Sequence, residues 1–324
     1  MKLKFTRELS AEEQAQLEKD LAELQGVYEA NPLERYQPHP KQVEFHTAPE
    51  RVRAFYAGSR TGKSTCGCAD DLIQALDLEF VPERLRPYKK WDPPFKGRVI
   101  TPDLGRTMEV ILEKFRELAP AAALRGGSWS KAFDQTKRIL DFDNGSRIDF
   151  MSFEQEPDKF GGVALHRAHF DEEPRGPKSW AIYRDTRSRL IDYRGDQIFT
   201  MTPLSGTDWV FDKIWSARDT DPQLRVIQAK MTENPYLDPK EIEEAAALLT
   251  KEEYRAIIEG EPVSFEGMVY DEFSEVHLVE MPTQKDLKDM TVYVGIDPGL
   301  KTTAVVFAAF DADNDALIFA ELYL

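Results

Sequence analysis

The chain has 324 residues, a formal net charge of −16 from 42 Lys and Arg against 58 Asp and Glu, and 41% hydrophobic residues. That length suits two domains, or one large domain with an appendage, and the apolar share excludes wholesale disorder. The longest apolar run, Ala304 to Phe310, is far short of the roughly 20 residues of a membrane span, MKLKFTRELS is no secretory signal, and Cys66 and Cys68 make neither a disulfide framework nor a zinc site, so no membrane association and a reducing cytoplasm are expected.

The first 30 residues read as an acidic helix. Ser10 and Glu13 fit a capping box, and Leu17, Leu21, Leu24 and Tyr28 share one face. Such a helix packs on its own domain or serves as a partner-binding arm. A Pro-rich turn is expected at 36–42, then a buried strand from Val52 to Ala57, a Gly-rich turn, and a helix to about Leu78. Residues 82–97, rich in proline and charge, read as a surface loop. Strands are expected at 98–101, 138–142 and 147–152, the last two joined by the hairpin signal Asp143-Asn144-Gly145, and again at 168–171 and 197–202. Residues 234–260 are helical in pattern, with a second capping box at Thr250 and Glu253, and Gly260-Glu261-Pro262 breaks them. Beyond 262 the texture is strand-like, at 267–273, 277–280, 292–297, 303–310 and 317–324. Strands mixed with helices predict an α/β fold over 1–262, with 1–35 as a helical arm, and a separate, unfinished unit over 263–324.

AGSRTGKST, at 57–65, follows the first buried strand and opens a helix, as a phosphate loop must. Gly58, Ser59, Arg60, Thr61, Gly62, Lys63, Ser64 and Thr65 would surround the phosphates of ATP. Gly58 and Gly62 let backbone N–H groups turn toward phosphate oxygens at the helix N-terminus. Lys63 reaches the β- and γ-phosphates, and Ser64 offers its hydroxyl to Mg²⁺. Ala57 stands where the motif has its first glycine. The partner carboxylates come from HRAHFDEEP at 166–174. Asp171, at a strand end, would hold Mg²⁺ through water, and Glu172 would polarise the attacking water, with Glu173 the runner-up. His169 reads as a satisfied or exposed histidine. Gln42 has an amide suited to adenine, and Thr200 and Thr202 could sense the γ-phosphate.

These pieces in this order resemble the large subunit of tailed-phage terminases, genome-packaging motors. The resemblance rests on PHPKQ at 38–42, the Arg-containing phosphate loop, GSRIDFMS at 145–152, FDEEP, MTPLSGTDW at 201–209, ENPYLDP, GEPVSFEGMVYDEF and VGIDPG at 294–299, and it covers nearly the whole chain. It implies a P-loop NTPase with a mostly parallel sheet flanked by helices, of the class with an extra strand between the two nucleotide motifs and a catalytic glutamate. By this resemblance Glu172 takes that role, Gln42 contacts adenine, and Thr200–Thr202 couple hydrolysis to movement. It also implies translocation of double-stranded DNA by a ring of subunits in the host cytoplasm, with a small terminase subunit and a portal protein as partners. The bulk acidity fits a motor that grips DNA weakly as a single subunit and gains affinity from several.

Many members carry an Arg-Gly pair about ten residues before the acidic pair, whose arginine can act in trans. Here Gly161-Gly162 stands there, flanked by Lys159 and Arg167, so Arg60, Lys159 and Arg167 compete to stabilise the transition state. The resemblance further implies a ribonuclease H-like nuclease after 262, with Asp297 as its first metal-binding carboxylate. Asp311, Asp313 and Asp315 read as a polar hairpin turn, so the metal site is expected to be incomplete and nuclease activity absent. The rival readings are a helicase-like or repair P-loop ATPase, and a nuclease or binding module with a vestigial phosphate loop.

Overall fold

The computed structural model describes residues 10–203, 208–262, 283, 287–288, 290–298, 303–310 and 316–323. It divides into two compact units, Met1–Gly267 and Met268–Leu324. The first opens with α1 (Ala11–Ala30), whose capping box is formed as the sequence predicts. Ser10 Oγ accepts from Glu13 N–H and Glu13 Oε2 accepts from Ser10 N–H. The apolar stripe of α1 is not packed on the domain: Leu21 and Leu24 remain 47% and 45% exposed.

Pro40 does not sit in a turn but at the first position of α2 (Pro40–Thr47). Its fixed φ and missing N–H suit a first helical turn. β1 (Val52–Ala57) and α3 (Lys63–Ala75) follow. The stretch expected to be a surface loop contains a 3-10 turn at Glu83–Tyr88 and buries Leu85, within that turn, and Phe95. Then come β2 (Lys96–Thr101), α4 (Arg106–Leu118), α5 (Trp129–Ala132), β3 (Phe133–Asp134), β4 (Ile139–Asp141) and β5 (Arg147–Ser152). β6 (Arg167–Asp171), α6 (Ser179–Ser188) and β7 (Asp196–Met201) carry the second half. α7 (Asp208–Val210) runs into a π-helical turn at Phe211–Trp215, and β8 (Leu224–Ala229), α8 (Pro239–Ala246) and α9 (Lys251–Ile257) close the unit.

One sheet of eight strands runs in the order β3-β4-β5-β2-β6-β7-β1-β8. From β5 to β8 every pairing is parallel, and β3 and β4 are antiparallel additions at one edge. Between β1 and β6, which carry the two nucleotide motifs, lies β7: this is the expected extra strand. Every residue of β1, β6 and β7 is buried, as a sheet covered on both faces requires. Alternation divides the core. Val99 of β2 packs with residues of α3 and α4, while its neighbour Ile100 packs with Phe170, Phe199 and α6's Ile182.

The sheet also buries charge. Near the N-terminal ends of β1, β6 and β7, Arg53 and Arg167 meet Asp196, and both reach Asp70 of α3. Both arginines are fully buried. The pairing holds the Asp70 and Asp196 carboxyls below the usual carboxylate range although burial pushes them up, with Arg167 the strongest opposing influence on each.

The second unit is described as a three-stranded antiparallel sheet, β11-β10-β9, of β9 (Thr291–Pro298), β10 (Thr303–Phe310) and β11 (Ala316–Tyr323). Asp297 stands near the end of β9, in register with Ala304. The strands expected at 267–273 and 277–280, and the aspartates at 311, 313 and 315, lie outside the described residues.

Candidate active site

The chemistry-bearing residues gather at the C-terminal ends of β1, β6 and β7, where parallel α/β sheets place their ligands. After β1 the chain turns at Gly58. A side chain there would strike the Ile257 carbonyl oxygen at 2.5 Å. Gly58 N–H donates to Ala229 O and Ser59 N–H to Ile257 O, so β8 and the end of α9 seat the start of the loop. Thr61 Oγ donates back to Gly58 O, closing the turn at 2.9 Å. Arg60 (φ 60°) and Gly62 (φ 82°) take left-handed backbone, and Gly62 caps α3.

Gln42 supports this loop from α2. Its Oε1 accepts from His39 N–H at 3.0 Å and its Nε2 donates to Gly62 O at 3.0 Å. His39 Nε2 donates to Thr61 O. Gln42 is buried and does not line the cleft, and its amide is engaged at both ends by the protein backbone.

The cleft has a volume of about 660 Å³. Ser59, Arg60, Gly62, Lys63, Ser64 and Thr65 form one wall, and Glu172 and Thr202 another. α4 supplies a third, with Arg106, Val110 and Lys114 at four-residue spacing, while Met108, Ile111 and Phe115 enter the core. Lys63 Nζ lies 3.3 Å from Glu172 Oε1. Glu172 has φ 63°, a backbone conformation unusual for glutamate. Two bonds to β7 and its exit hold it: Glu172 N–H donates to Thr200 O, and Thr202 N–H donates to Glu172 Oε2 at 3.2 Å. Glu173, the alternative base, points elsewhere: it is buried, bears on Tyr56, and does not line the cleft.

Behind Glu172 runs a hydrogen-bonded chain. Thr200 Oγ donates to Asp171 Oδ1 at 2.7 Å. His169 Nε2 donates to Thr200 Oγ at 2.7 Å, and His169 Nδ1 donates to Asp71 Oδ2 at 2.7 Å. Both ring nitrogens are engaged, and the Asp71 carboxylate favours the charged imidazolium form. Burial works against that charge, but Asp71 outweighs it and raises the imidazole above its usual value. Asp171 is raised too, first by burial and then by repulsion from Glu172.

A divalent cation would relieve that stress. Asp171 and the Ser64 hydroxyl are hard oxygen donors, suited to Mg²⁺ that keeps water and phosphate oxygens as its remaining ligands. Among the described residues no group of three or more His, Cys, Asp or Glu could hold a metal ion.

Of the basic candidates, Arg60 lines the cleft. Arg167 does not. It is fully buried, and its guanidinium is spent on Asp70 and Asp196, which fixes it as a structural charge. Lys159 sits on a 3-10 turn away from the cleft lining. Near Gly161, Arg189 Nη2 stands 3.5 Å from where a Cβ would be. Sequence reasoning missed Arg106, Lys114 and Arg175, which complete the basic lining. The amphipathic period of α4 was the available signal for the first two. It also missed the role of His169, whose partners Asp71 and Thr200 are remote in sequence.

The family model described as "Terminase large subunit, T4likevirus-type, N-terminal" matches residues 113–276. The large subunit of the terminase of Escherichia phage T5 is 29% identical over 196 residues, which is 57% of this chain and 43% of that protein. The chain therefore spans less than half the length of that curated relative. The fold is similar to the ATPase domain of the large terminase of Thermus phage P74-26, with a TM-score of 0.54 at 16% identity, covering 72% of this chain and 96% of that one. It is also similar to the large terminase of a thermophilic bacteriophage solved with ADP, with a TM-score of 0.52 at 16% identity, covering 88% of this chain and 68% of that one. The same terminase has been solved with ATP-gamma-S.

Proposed function

The chain belongs to the T4likevirus-type terminase large-subunit family, and from that premise we propose that it is an ATP-hydrolysing motor subunit that moves double-stranded DNA into a viral procapsid. The observation that carries this reading is the Lys63–Glu172 pair across the mouth of the cleft, with Glu172 tied to β7 through Thr200 O and Thr202 N–H. Lys63 and the loop N–H groups hold the β- and γ-phosphates. Mg²⁺, held by Ser64 and through water by Asp171, neutralises phosphate charge when bound. The γ-phosphate competes for Lys63 and frees Glu172, which orients water and accepts its proton. Arg60, Arg106 and Arg175 stand on the cleft wall to meet charge developing on the phosphoryl oxygens. Adenine recognition by Gln42 belongs to this reading on condition that its bond to Gly62 is exchanged when nucleotide binds.

Movement starts at β7. A shift of Glu172 changes the bonds that Thr200 and Thr202 make with it, and β7 lies between the two nucleotide motifs in the sheet. The working form is a ring of subunits in the host cytoplasm, assembled with a portal protein and a small terminase subunit. Arg189, beside Gly161 and paired with Asp185, is a candidate to serve a neighbour there. The 263–324 stretch is read as ribonuclease H-like, with Asp297 as a metal-binding carboxylate.

The test is DNA-stimulated ATP turnover. Lys63→Ala removes turnover by about a hundredfold or more. Glu172→Gln keeps nucleotide binding but stalls hydrolysis. Turnover within twofold of wild type in Lys63→Ala sinks the assignment, and a stall seen only in Glu173→Gln moves the base by one residue.

A further inference from the structure

A second cavity of about 300 Å³ lies at the opposite ends of the strands, beside Val52 of β1 and Gln197 of β7. Three arginines line it, Arg51, Arg184 and Arg187. Among the described residues none of them pairs with a carboxylate. Arg51 donates through Nε and Nη2 to Gly195 O, at 3.3 and 2.9 Å. Arg187 donates to the Tyr183 hydroxyl at 3.2 Å, and Arg184 lies over the Trp180 ring. A guanidinium has five N–H donors, so most of theirs are uncommitted. The nearby Asp185 is engaged by Arg189.

Arg187, in the last turn of α6, has an ordinary explanation, since cations favour that end of the dipole. The floor of the cavity goes beyond it. Gln197 lines the cavity and is 98% buried, and its Oε1 accepts from the Tyr183 hydroxyl. Its Nε2 is a buried donor with no partner. Leaving such a group unpaired costs on the order of 1–3 kcal/mol. Beside Ser188, Gln223 and the apolar Val52, Leu190 and Ile191, the cavity brings three guanidinium groups and an unpaired amide N–H together with no carboxylate among its described lining residues, which suits an anion with several acceptor oxygens.

We propose that Arg51, Arg184, Arg187 and Gln197 form a phosphate-binding site, and that the phosphate it takes is one from the backbone of duplex DNA. The choice of DNA rests on the motor reading above. The phosphate chemistry does not. The segment 184–194 carries four arginines against two aspartates in a chain of net charge −16, which makes it a local basic face. Ile191 and Tyr193 stand exposed beside it.

The experiment is anisotropy of a fluorescein-labelled duplex across a salt series, with Arg184→Ala, Arg187→Ala, Arg184→Lys, and Arg116→Ala as a control on an exposed arginine elsewhere. Thermal unfolding checks that each variant folds. Arg184→Ala and Arg187→Ala are expected to weaken binding by about fivefold to tenfold each and to lower the salt slope by about one. Arg184→Lys retains the slope, and Arg116→Ala changes neither quantity. Wild-type affinity and slope in both alanine variants overturn the proposal, and if those variants also lose self-association, the cavity takes an acidic face of a second copy instead. If the wild type binds no duplex, inorganic phosphate decides. Stabilisation by phosphate over chloride at equal ionic strength, lost in the alanine variants, keeps the site and sinks the motor reading. Equal stabilisation of wild type and variants sinks the site.

Discussion

β6 holds buried charge at both ends, and the two ends are opposites. At its start Arg167 is enclosed by Asp70 and Asp196, with Arg53 completing the group, and those carboxyls stay below the usual range. At its end Asp171 is equally buried but under-compensated: burial and Glu172 push it up, and His169, Thr200 and Lys63 recover only part of that. Only three residues separate Arg167 from Asp171. The first end spends its charges on one another. The second leaves negative charge under-compensated, and that electrostatic stress is what a cation can relieve.

The comparison breaks hardest at the closed end. Arg167→Met leaves Asp70 and Asp196 without their strongest partner, and removing one member of a buried ionic group costs about 3–5 kcal/mol. Chemical denaturation should show that loss, and a change below about 1 kcal/mol would mean that the group is not a unit. The sharper test applies one isosteric change at both ends. Asp70→Asn should destabilise. Asp171→Asn should stabilise the nucleotide-free protein by about 1 kcal/mol while abolishing turnover, as removing functional strain does. Loss of stability in Asp171→Asn would show that the open end is not stressed.

The two ends also differ in pH dependence. Asp70 and Asp196 have lowered values, so their contribution is present above the ordinary carboxylate pKa of about 3.9 and is lost as pH falls through their folded values. Asp171 is raised, so its contribution has the reverse sign: present at low pH, lost as pH rises through its folded value. Acid unfolding should therefore begin earlier in Asp70→Asn than in Asp171→Asn. A smaller effect is expected at Gly67, where a Cβ would stand 2.4 Å from His169 Cε1. Glycine to alanine in a helix normally gains about 1 kcal/mol. Here overpacking should reverse the sign, with a net loss of about 1–2 kcal/mol and slower turnover as His169 moves off Thr200. A gain in stability would show that His169 can yield.

The phosphate loop and the acidic pair were legible in the residues, because their types and spacing are set by local chemistry, whereas the extra strand came from the family resemblance. β8 was missed: LRVIQA has no turn signal as clear as the neighbouring strands have, and its strand state comes from pairing with β1, far away in the chain. Arg167 was misjudged because its partners come from α3 and β7. Gln42 reads as an adenine ligand in the sequence, yet the structure engages both ends of its amide with His39 and Gly62. Nothing local announces that Glu172 takes a left-handed backbone. That geometry comes from its two bonds to the segment at the end of β7.

The seating of the loop start on α9 has a mechanical consequence. Ser59 N–H is held by Ile257 O, and a side chain at Gly260 would strike Gly58 N at 2.8 Å. The chain's exit from the first unit and the start of its phosphate loop are thus a single joint. A pull on the polypeptide beyond Gly260 would bear directly on the start of that loop. Tension would then bear on the same loop that is proposed to hold ATP.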